Sequence, residues 1–492
     1  MVVSDKSGCA RVWAKLARWV TLAMALSCDG AMDPIPMDEC HDVCTAPPVA
    51  EAQTTEPTPE VDRPNVLLII ADDLGLDAAA FDTTNPCYDV GDTSDDPAMP
   101  NIAALCESGV RFTNAWAMPQ CSPSRASMLT GRYPFRTGVG AAISVLDDNG
   151  LATDELTLPR ALDAADSGYT SAHIGKWHVS SDPTDPNTMG WHHFAGHLKG
   201  SLVDYFQWPR VEDGVTTSVD GYQTSVAVDD ALDWLAGTDD APWFLWLAFS
   251  APHSPYHVPP AHLHDANLDP YVEGVDPRPY FAAMAQAMDT EIGRLLDGIE
   301  ARGELEDTVI VFLGDNGTDM AVVGEPYHPQ RAKGSVYQGG LQVPLVVSGP
   351  GVAGGRSEGA LVSVVDVFPT VLELAGVDVA AVVAAETPDA PIDGASLVPY
   401  LGTAGAPPQH QRVYAQGFDF GSDASQMNHA VRDERFKLVC SPSEGAEMYD
   451  LSCDPYEQRN LLAHDPSSCV TEHFEELRRA LEDKVGSTEI CP

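Results

Sequence analysis

The run Cys121-Ser122-Pro123-Ser124-Arg125, with Thr130-Gly131-Arg132 just beyond it, places a thiol, a turn-forming proline, two hydroxyls and a guanidinium side by side. The segment Ala126-Ser127-Met128-Leu129 predicts the start of a helix, whose free N–H groups and dipole favour an anion. A thiol at that position, next to Arg125, is expected to ionise more readily than a free cysteine and to be reactive. The competing reading is a structural thiol in a Pro-Ser turn, the ordinary fate of a lone cysteine.

Other chemistry-bearing residues are spread along the chain. Asp72-Asp73 and Asp315-Asn316 offer only oxygen ligands, which selects a hard divalent cation and disfavours zinc. Calcium is expected in preference to magnesium, because it accepts more ligands and looser geometry. Arg125, Lys176 and Lys333 add positive charge, and His178 and His253 can exchange protons. Such a set suits attack on a tetrahedral oxyanion, sulfate or phosphate, with cations on the nonbridging oxygens and a histidine at the leaving oxygen. Singly, each pattern is ordinary: an acidic pair after a strand is a common polar turn, and a lone Lys or His is usually a surface residue.

The positions of these residues are what distinguish them. Asn65 to Ala71, Tyr169 to Ile174, Trp243 to Phe249 and Thr308 to Leu313 are apolar runs of strand length. They deliver Asp72 and Asp73, Lys176 and His178, His253, and Asp315 and Asn316 respectively. Val110 to Ala115 and Val343 to Val347 read as further strands. Helical segments at 100–107, 158–166 and 222–235, and an apolar stripe from Phe281 to Ile299, alternate with them. This predicts an α/β fold, a large mostly parallel doubly wound sheet flanked by helices, with the site along one edge. Strands over 412–416, 430–440 and 447–451 and a helix over 473–484 predict a small C-terminal α+β subdomain with an antiparallel sheet. The stretches 82–99, 180–220 and 255–277 read as irregular loops, where specificity would reside.

Composition restricts the partners. The 492 residues carry 27 basic and 73 acidic side chains, a formal charge of −46. Nucleic acid and anionic membrane surfaces are excluded as general partners, and an anionic substrate needs a local cluster of cations. Lys6, Arg11, Lys15 and Arg18 followed by the apolar run Trp19 to Ser27 read as an export signal over 1–28. Ala25-Leu26-Ser27-Cys28 is similar to a bacterial lipoprotein processing site with Cys28 as the lipidated residue, so both lipid anchoring and free secretion are open. The expected destinations are the periplasm, the outer membrane or the medium of a bacterium. Residues 29–62 read as a disordered acidic tether, 63–400 as the catalytic domain and 401–492 as the C-terminal subdomain. Cysteine usage agrees with an oxidising compartment, with Cys87–Cys106 and Cys440–Cys453 as the expected local disulfides.

In this order and with these neighbours, the motifs resemble those of the type I sulfatases of the alkaline phosphatase superfamily. The resemblance rests on Cys121-x-Pro123-Ser124-Arg125 with Thr130-Gly131-Arg132, Asp72-Asp73, Gly175-Lys176-Trp177-His178 and Pro252-His253-Ser254-Pro255. It continues through Gly314-Asp315-Asn316-Gly317, Lys333 with Gly339-Gly340, and Met448-Tyr449-Asp450-Leu451 with Asp454-Pro455. It implies a sulfuric ester hydrolase in which a maturation enzyme oxidises Cys121 to formylglycine (3-oxoalanine). The hydrated aldehyde would attack sulfur with one hydroxyl on a metal held by Asp72, Asp73, Asp315, Asn316 and residue 121. His178 would then deprotonate the second hydroxyl and expel sulfate, while His253 or Lys333 protonates the leaving oxygen. Lys176 would neutralise charge, and Arg125 would orient residue 121. Aryl sulfates and sulfated carbohydrates are the implied substrates. The alternatives are a formylglycine-dependent phosphate or phosphonate ester hydrolase, and a non-catalytic glycan-binding surface lipoprotein. Two positions depart from the family pattern: Gln338 stands where Glu is usual, and Gln342 where Arg is common.

Overall fold

The computed structural model describes residues 63–78, 97–144, 150–238, 241–402, 404–419, 421–422, 426–463, 465–488 and 490–491. The export signal with Cys28, the tether and Cys87 lie outside the described residues.

The strands of the first part of the chain are β1 (Asn65–Ala71), β2 (Val110–Trp116), β3 (Thr170–Lys176), β4 (His193–His197), β5 (Gln207–Glu212), β6 (Val215–Asp220), β7 (Trp243–Ala248), β8 (Thr308–Gly314), β9 (Leu345–Ser348) and β10 (Arg356–Ser363). They form one 10-stranded sheet in the order β10-β2-β9-β8-β1-β7-β3-β4-β5-β6. Its centre, β8-β1-β7-β3-β4, is parallel, while β9 and the β4-β5-β6 edge run antiparallel, so the sheet is mixed. On β1, Val66, Leu68 and Ile70 enter one core and Leu67, Ile69 and Ala71 the other, which is why that strand reads as a continuous apolar run. Each such large aliphatic side chain, fully buried, contributes roughly 1.5–3 kcal/mol.

Helices cover both faces: α1 (Pro100–Ser108), α2 (Cys121–Thr130), α3 (Gln223–Ala236), α4 (Arg278–Arg302), α5 (Gln338–Leu341) and α6 (Val367–Leu374). The predicted stripe on α4 lies in the core with α3: Phe281, Met288, Ile292, Leu295 and Ile299 pack with Ala227, Val228, Ala231 and Leu235. Met128 and Leu129 of α2 lie in the opposite core with Phe368, Val371 and Leu372 of α6.

The stretch 180–220 is not an irregular loop: it holds β4, β5 and β6. The outer hairpin is half exposed, carries Pro209 and is rich in polar residues, so its strands lack the apolar signature of the central ones. The C-terminal part forms a second sheet, β11 (Val413–Gly417), β12 (Asn428–Arg432), β13 (Phe436–Ser441) and β14 (Gly445–Asp450), all antiparallel and in chain order. The single strand expected over 430–440 is two, broken by a turn in which Asp433 Oδ1 accepts N–H bonds from Arg435 and Phe436. The last helix, α7 (Ser468–Val485), lays Val470, Leu477 and Leu481 on this sheet.

One expected disulfide is corrected. Cys440 is bonded to Cys491, with Cα atoms 5.1 Å apart, and not to Cys453. The reason is tertiary: Ile490 joins Val431, Phe436 and Leu438 in the subdomain core and brings the terminal residues to β13. Cys106, Cys453 and Cys469 are also disulfide-bonded.

Candidate active site

Neighbouring parallel strands end together, so their C-terminal residues converge. β1 supplies Asp72 and Asp73, β3 supplies Lys176 and then His178, β7 leads to His253, and β8 leads to Asp315 and Asn316. β2 brings the chain to Gln120, after which α2 begins at Cys121. Every residue of α2 is buried. Ser124 Oγ both accepts the Met118 N–H and donates to the Met118 carbonyl, closing the approach to the helix. Gly131, at φ 69°, terminates α2 and donates its N–H to the Ser127 carbonyl. Arg132 then bonds Glu155, Thr387 and the Ala390 carbonyl, so the Thr-Gly-Arg part of the motif anchors the helix.

The structure brings all ten predicted site residues into one buried cluster. Lys176 Nζ lies 2.5 Å from Asp72 Oδ2, and Lys333 Nζ 2.5 Å from Asp73 Oδ1. Asp315 Oδ1 accepts the Asp73 N–H (3.2 Å), and Asp315 Oδ2 accepts from Arg125 Nε (2.9 Å). A second guanidinium nitrogen of Arg125 donates to the Lys176 carbonyl (2.7 Å). Arg125 is thus spent on the protein itself. Asn316 donates its amide to Asp73 Oδ1 (2.8 Å) and to the Gly317 carbonyl (2.9 Å).

The two histidines present different faces. His253 Nδ1 lies 2.6 Å from the Ser254 carbonyl, an acceptor only, so it carries a proton there. His253 Nε2 faces inward, 3.6 Å from Asp73 Oδ2. In His178, Nε2 lies 3.1 Å from the Ile143 carbonyl and donates to it, leaving Nδ1 buried with no partner. Burial, reinforced by the Lys176 and Arg125 charges, holds this imidazole well below its ordinary pKa. His178 is therefore neutral, with a bare Nδ1 able to accept a proton. Gly200 lies flat on the ring; a Cβ there would sit 2.4 Å from Cε1.

Electrostatics sort the charged groups. Burial alone would raise Asp72, but Lys176, then His253, Arg125 and Lys333 outweigh it and keep the carboxylate well below the usual range. Burial pushes Lys333 down, yet Asp73 and its neighbours hold the ammonium well above its ordinary value. The thiol overturns an expectation. Cys121 is 2 % exposed, and burial pushes its pKa up to about 12 despite Lys176 and Lys333. Arg125, its neighbour in sequence, is turned to Asp315 instead. As a thiol, residue 121 is a poor nucleophile at neutral pH.

The residues fit a divalent cation. Ligand atoms of Asp72, Asp73, Cys121 and His253 lie within 4.8 Å of one another. Asp72 Oδ1 and Asn316 Oδ1 are buried oxygens with no hydrogen-bond partner, a costly state that an ion relieves. The donors are chiefly hard oxygens, as calcium or magnesium requires.

A profile of the Sulfatase family matches residues 64–377. The chain belongs to the sulfatase family. It is a sulfuric ester hydrolase of the alkaline phosphatase superfamily, and a profile for the C-terminal part of N-sulphoglucosamine sulphohydrolase matches residues 328–484 of this sulfatase. It is 27% identical over 444 residues to arylsulfatase A of Homo sapiens, covering 82% of this chain and 80% of the relative. It is also 27% identical over 503 residues to N-acetylglucosamine-6-O-sulfatase of Bacteroides thetaiotaomicron, covering 82% and 83%. Among solved structures, phosphonate monoester hydrolase of Agrobacterium radiobacter superposes with a TM-score of 0.62 at 24% identity, over 86% of this chain and 96% of that one. That likeness shows the shared fold.

Several residues of this sulfatase site escaped sequence reasoning. His197, at the end of β4, places Nε2 2.6 Å from Ser250 Oγ, just before the His253 turn. Tyr205 donates its hydroxyl to the carbonyls of Ser250 and His253, at 2.6 and 2.7 Å. Both lie in the stretch read as irregular. The signal for His197 was the one used for Lys176 and His178, a polar residue closing a strand, but on a strand too short and too polar to be noticed.

Proposed function

We propose that the sulfatase hydrolyses sulfate monoesters with residue 121 as formylglycine and a calcium ion held by Asp72, Asp73, Asp315, Asn316 and residue 121. The observation that carries this reading is the meeting of Cys121 with Asp72, Asp73 and His253 within 4.8 Å, flanked by Lys176 and Lys333. The cation would supply Lewis-acid polarisation of the sulfate oxygens. Formylglycine would supply, as its hydrate, the oxygen nucleophile that a thiol held at about pKa 12 does not.

The chain's own residues divide the remaining work. Lys176 and Lys333 concentrate positive charge on the nonbridging oxygens, offsetting a surface that repels anions overall. Either His253, when Nε2 is protonated, or the Lys333 ammonium would give a proton to the leaving oxygen. His178, with Nε2 committed to the Ile143 carbonyl, would use its bare Nδ1 to take the proton whose removal frees the sulfate group. Arg125 bridges Asp315 and the Lys176 carbonyl, so it sets the spacing of the metal side and the β3 side.

The names of the relatives support an aryl or amino-sugar sulfate as substrate. The sequence pattern supports a maturation enzyme acting on Cys121, and export with Cys28 as a point of lipid attachment. The test is turnover of 4-nitrophenyl sulfate and N-acetylglucosamine-6-sulfate against the matched phosphates, with peptide mass spectrometry across residue 121. A large preference for sulfate and an aldehyde mass are expected. A phosphate preference, or thiol alone in protein from a host that matures sulfatases, overturns the reading.

A further inference from the structure

The C-terminal sheet reaches the site through one buried acid. Glu457 is 1 % exposed and lies in the loop after β14, with its backbone held at φ 59°. Glu457 Oε2 accepts the N–H of Gln338, the first residue of α5, at 2.6 Å. Its Oε1 lies 2.5 Å from Lys437 Nζ on β13, and Lys437 is fully buried. Its main-chain carbonyl accepts from the guanidinium of Arg331. One residue therefore holds both ends of the segment from Arg331 to Gln338, and Lys333 stands on that segment.

The far side of the segment meets the metal loop. Lys333 donates its N–H to the Thr318 carbonyl at 3.0 Å, and Gly340 accepts the Gly317 N–H at 3.0 Å. The contact is close enough that a Cβ on Gly317 would sit 1.9 Å from the Gly339 carbonyl oxygen. Gly317 follows Asn316 directly, so a shift of α5 is passed to the Asn316 oxygen without slack. Gln338 is gripped from the other side too, its Oε1 accepting from Trp116 Nε1 at 2.8 Å, while Lys437 Nζ lies 4.9 Å from the Trp116 ring centroid.

We propose that Glu457 is a positioning residue: the C-terminal subdomain uses it to set Lys333 and Asn316 in the catalytic domain. The proposal rests on the function proposed above for those two residues. Its novelty is that the second sheet belongs to the working site, although it contributes no group to the reaction.

The test uses full-length Glu457→Ala and Glu457→Gln, with Arg478→Ala, a half-buried ion-pair residue of α7, as control. Amide exchange read by mass spectrometry should rise at least tenfold for Gly317 and for Gln338 to Gln342 in E457A, with α4 unchanged. Calcium affinity, measured by titration calorimetry, should fall at least tenfold. kcat on 4-nitrophenyl sulfate should fall at least thirtyfold, with KM within threefold. E457Q keeps an acceptor for the Gln338 N–H and should recover most of the exchange protection and calcium affinity. If E457A does not fold, Lys437→Met with Glu457→Gln removes both charges, and native exchange at Gly317 with kcat within threefold is expected. Normal exchange, calcium affinity and kcat in folded E457A, or no recovery in E457Q, overturns the proposal. Exchange is read without turnover, so a wild-type protein that lacks sulfatase activity would sink the proposed function and leave this test standing.

Discussion

Lys176 with Asp72 and Lys437 with Glu457 are nearly the same object twice: an ammonium and a carboxylate 2.5 Å apart, both sealed from water. They differ in what is left over. Glu457 has its second oxygen on the Gln338 N–H, whereas Asp72 Oδ1 is buried with no partner. Their surroundings differ in the same sense. Lys176, His253, Arg125 and Lys333 together keep Asp72 ionised against its burial. Around Glu457 burial prevails over Lys437 and leaves the carboxyl above its ordinary pKa, while burial pushes Lys437 down to about 8. A buried pair with an unused lone pair and surplus positive charge is a place for a cation and an anion. A pair whose two carboxylate oxygens meet a cation and an N–H, one each, is a fastening. Burial is common to both, so burial alone does not mark a site.

The contrast can be broken most sharply at Asp72. Asp72→Asn should cut kcat/KM on an aryl sulfate by on the order of 10³-fold, because the charge that organises the cations is gone. Its melting temperature should change less than that of a variant at the other pair. There, Lys437→Met strands the Glu457 carboxylate and should cost roughly 3–5 kcal/mol of unfolding free energy, read by urea titration. Adding Glu457→Gln to Lys437→Met should restore much of that stability, since no buried charge then remains unpaired. The reverse pattern, activity lost at Lys437→Met and stability lost at Asp72→Asn, would sink the distinction. Chelation sharpens it: removing a divalent cation present at a hundredfold excess over its Kd should lower stability by about 2.7 kcal/mol. That loss should disappear in Asp72→Asn and persist in Lys437→Met.

A third buried carboxylate, Asp366, pairs with a cation that can titrate. His410 Nε2 lies 2.7 Å from Asp366 Oδ1; burial pushes the imidazole down, but Asp366 outweighs it and raises the pKa. A raised folded pKa stabilises fully below the unfolded value and is lost as pH rises through the folded one. Wild type should therefore gain stability on going from pH 8 to pH 6, relative to His410→Gln. Equal pH profiles in the two proteins would remove the pair from the account.

Much of the fold could be read from the sequence wherever a strand is buried on both faces. Asn65 to Ala71 was bounded correctly because its apolar run stops at two charges. The outer strands β5 and β6 were missed because most of their residues face water and little separates them from loops. Within the site, residue types and their order after strands pointed to the ten groups, but their states did not follow. Arg125 is four residues from Cys121 in sequence yet spends its guanidinium on Asp315, so the expected acidic thiol is a buried, reluctant one. The Cys440–Cys491 bridge depends on how the chain end packs into the second sheet's own core, and the Glu457 contacts on how that sheet docks; local sequence encodes neither.

Gln338 and Gln342, the two departures from the family pattern, touch: Gln338 Nε2 donates to Gln342 Oε1 at 3.1 Å, and Gln342 in turn donates to the Thr113 carbonyl at 2.9 Å. They are one exchange made at two positions, a neutral amide pair where the family pattern has an acid and a base. Glu at 338 alone would keep the acceptor for Trp116 Nε1 but lose the donor to Gln342 Oε1, and Arg at 342 alone would remove that acceptor and set a cation against the Gln338 amide. Each amide thus completes the other's hydrogen bonding, so a change at either position is felt at both ends of α5 and, through Gln342, at β2.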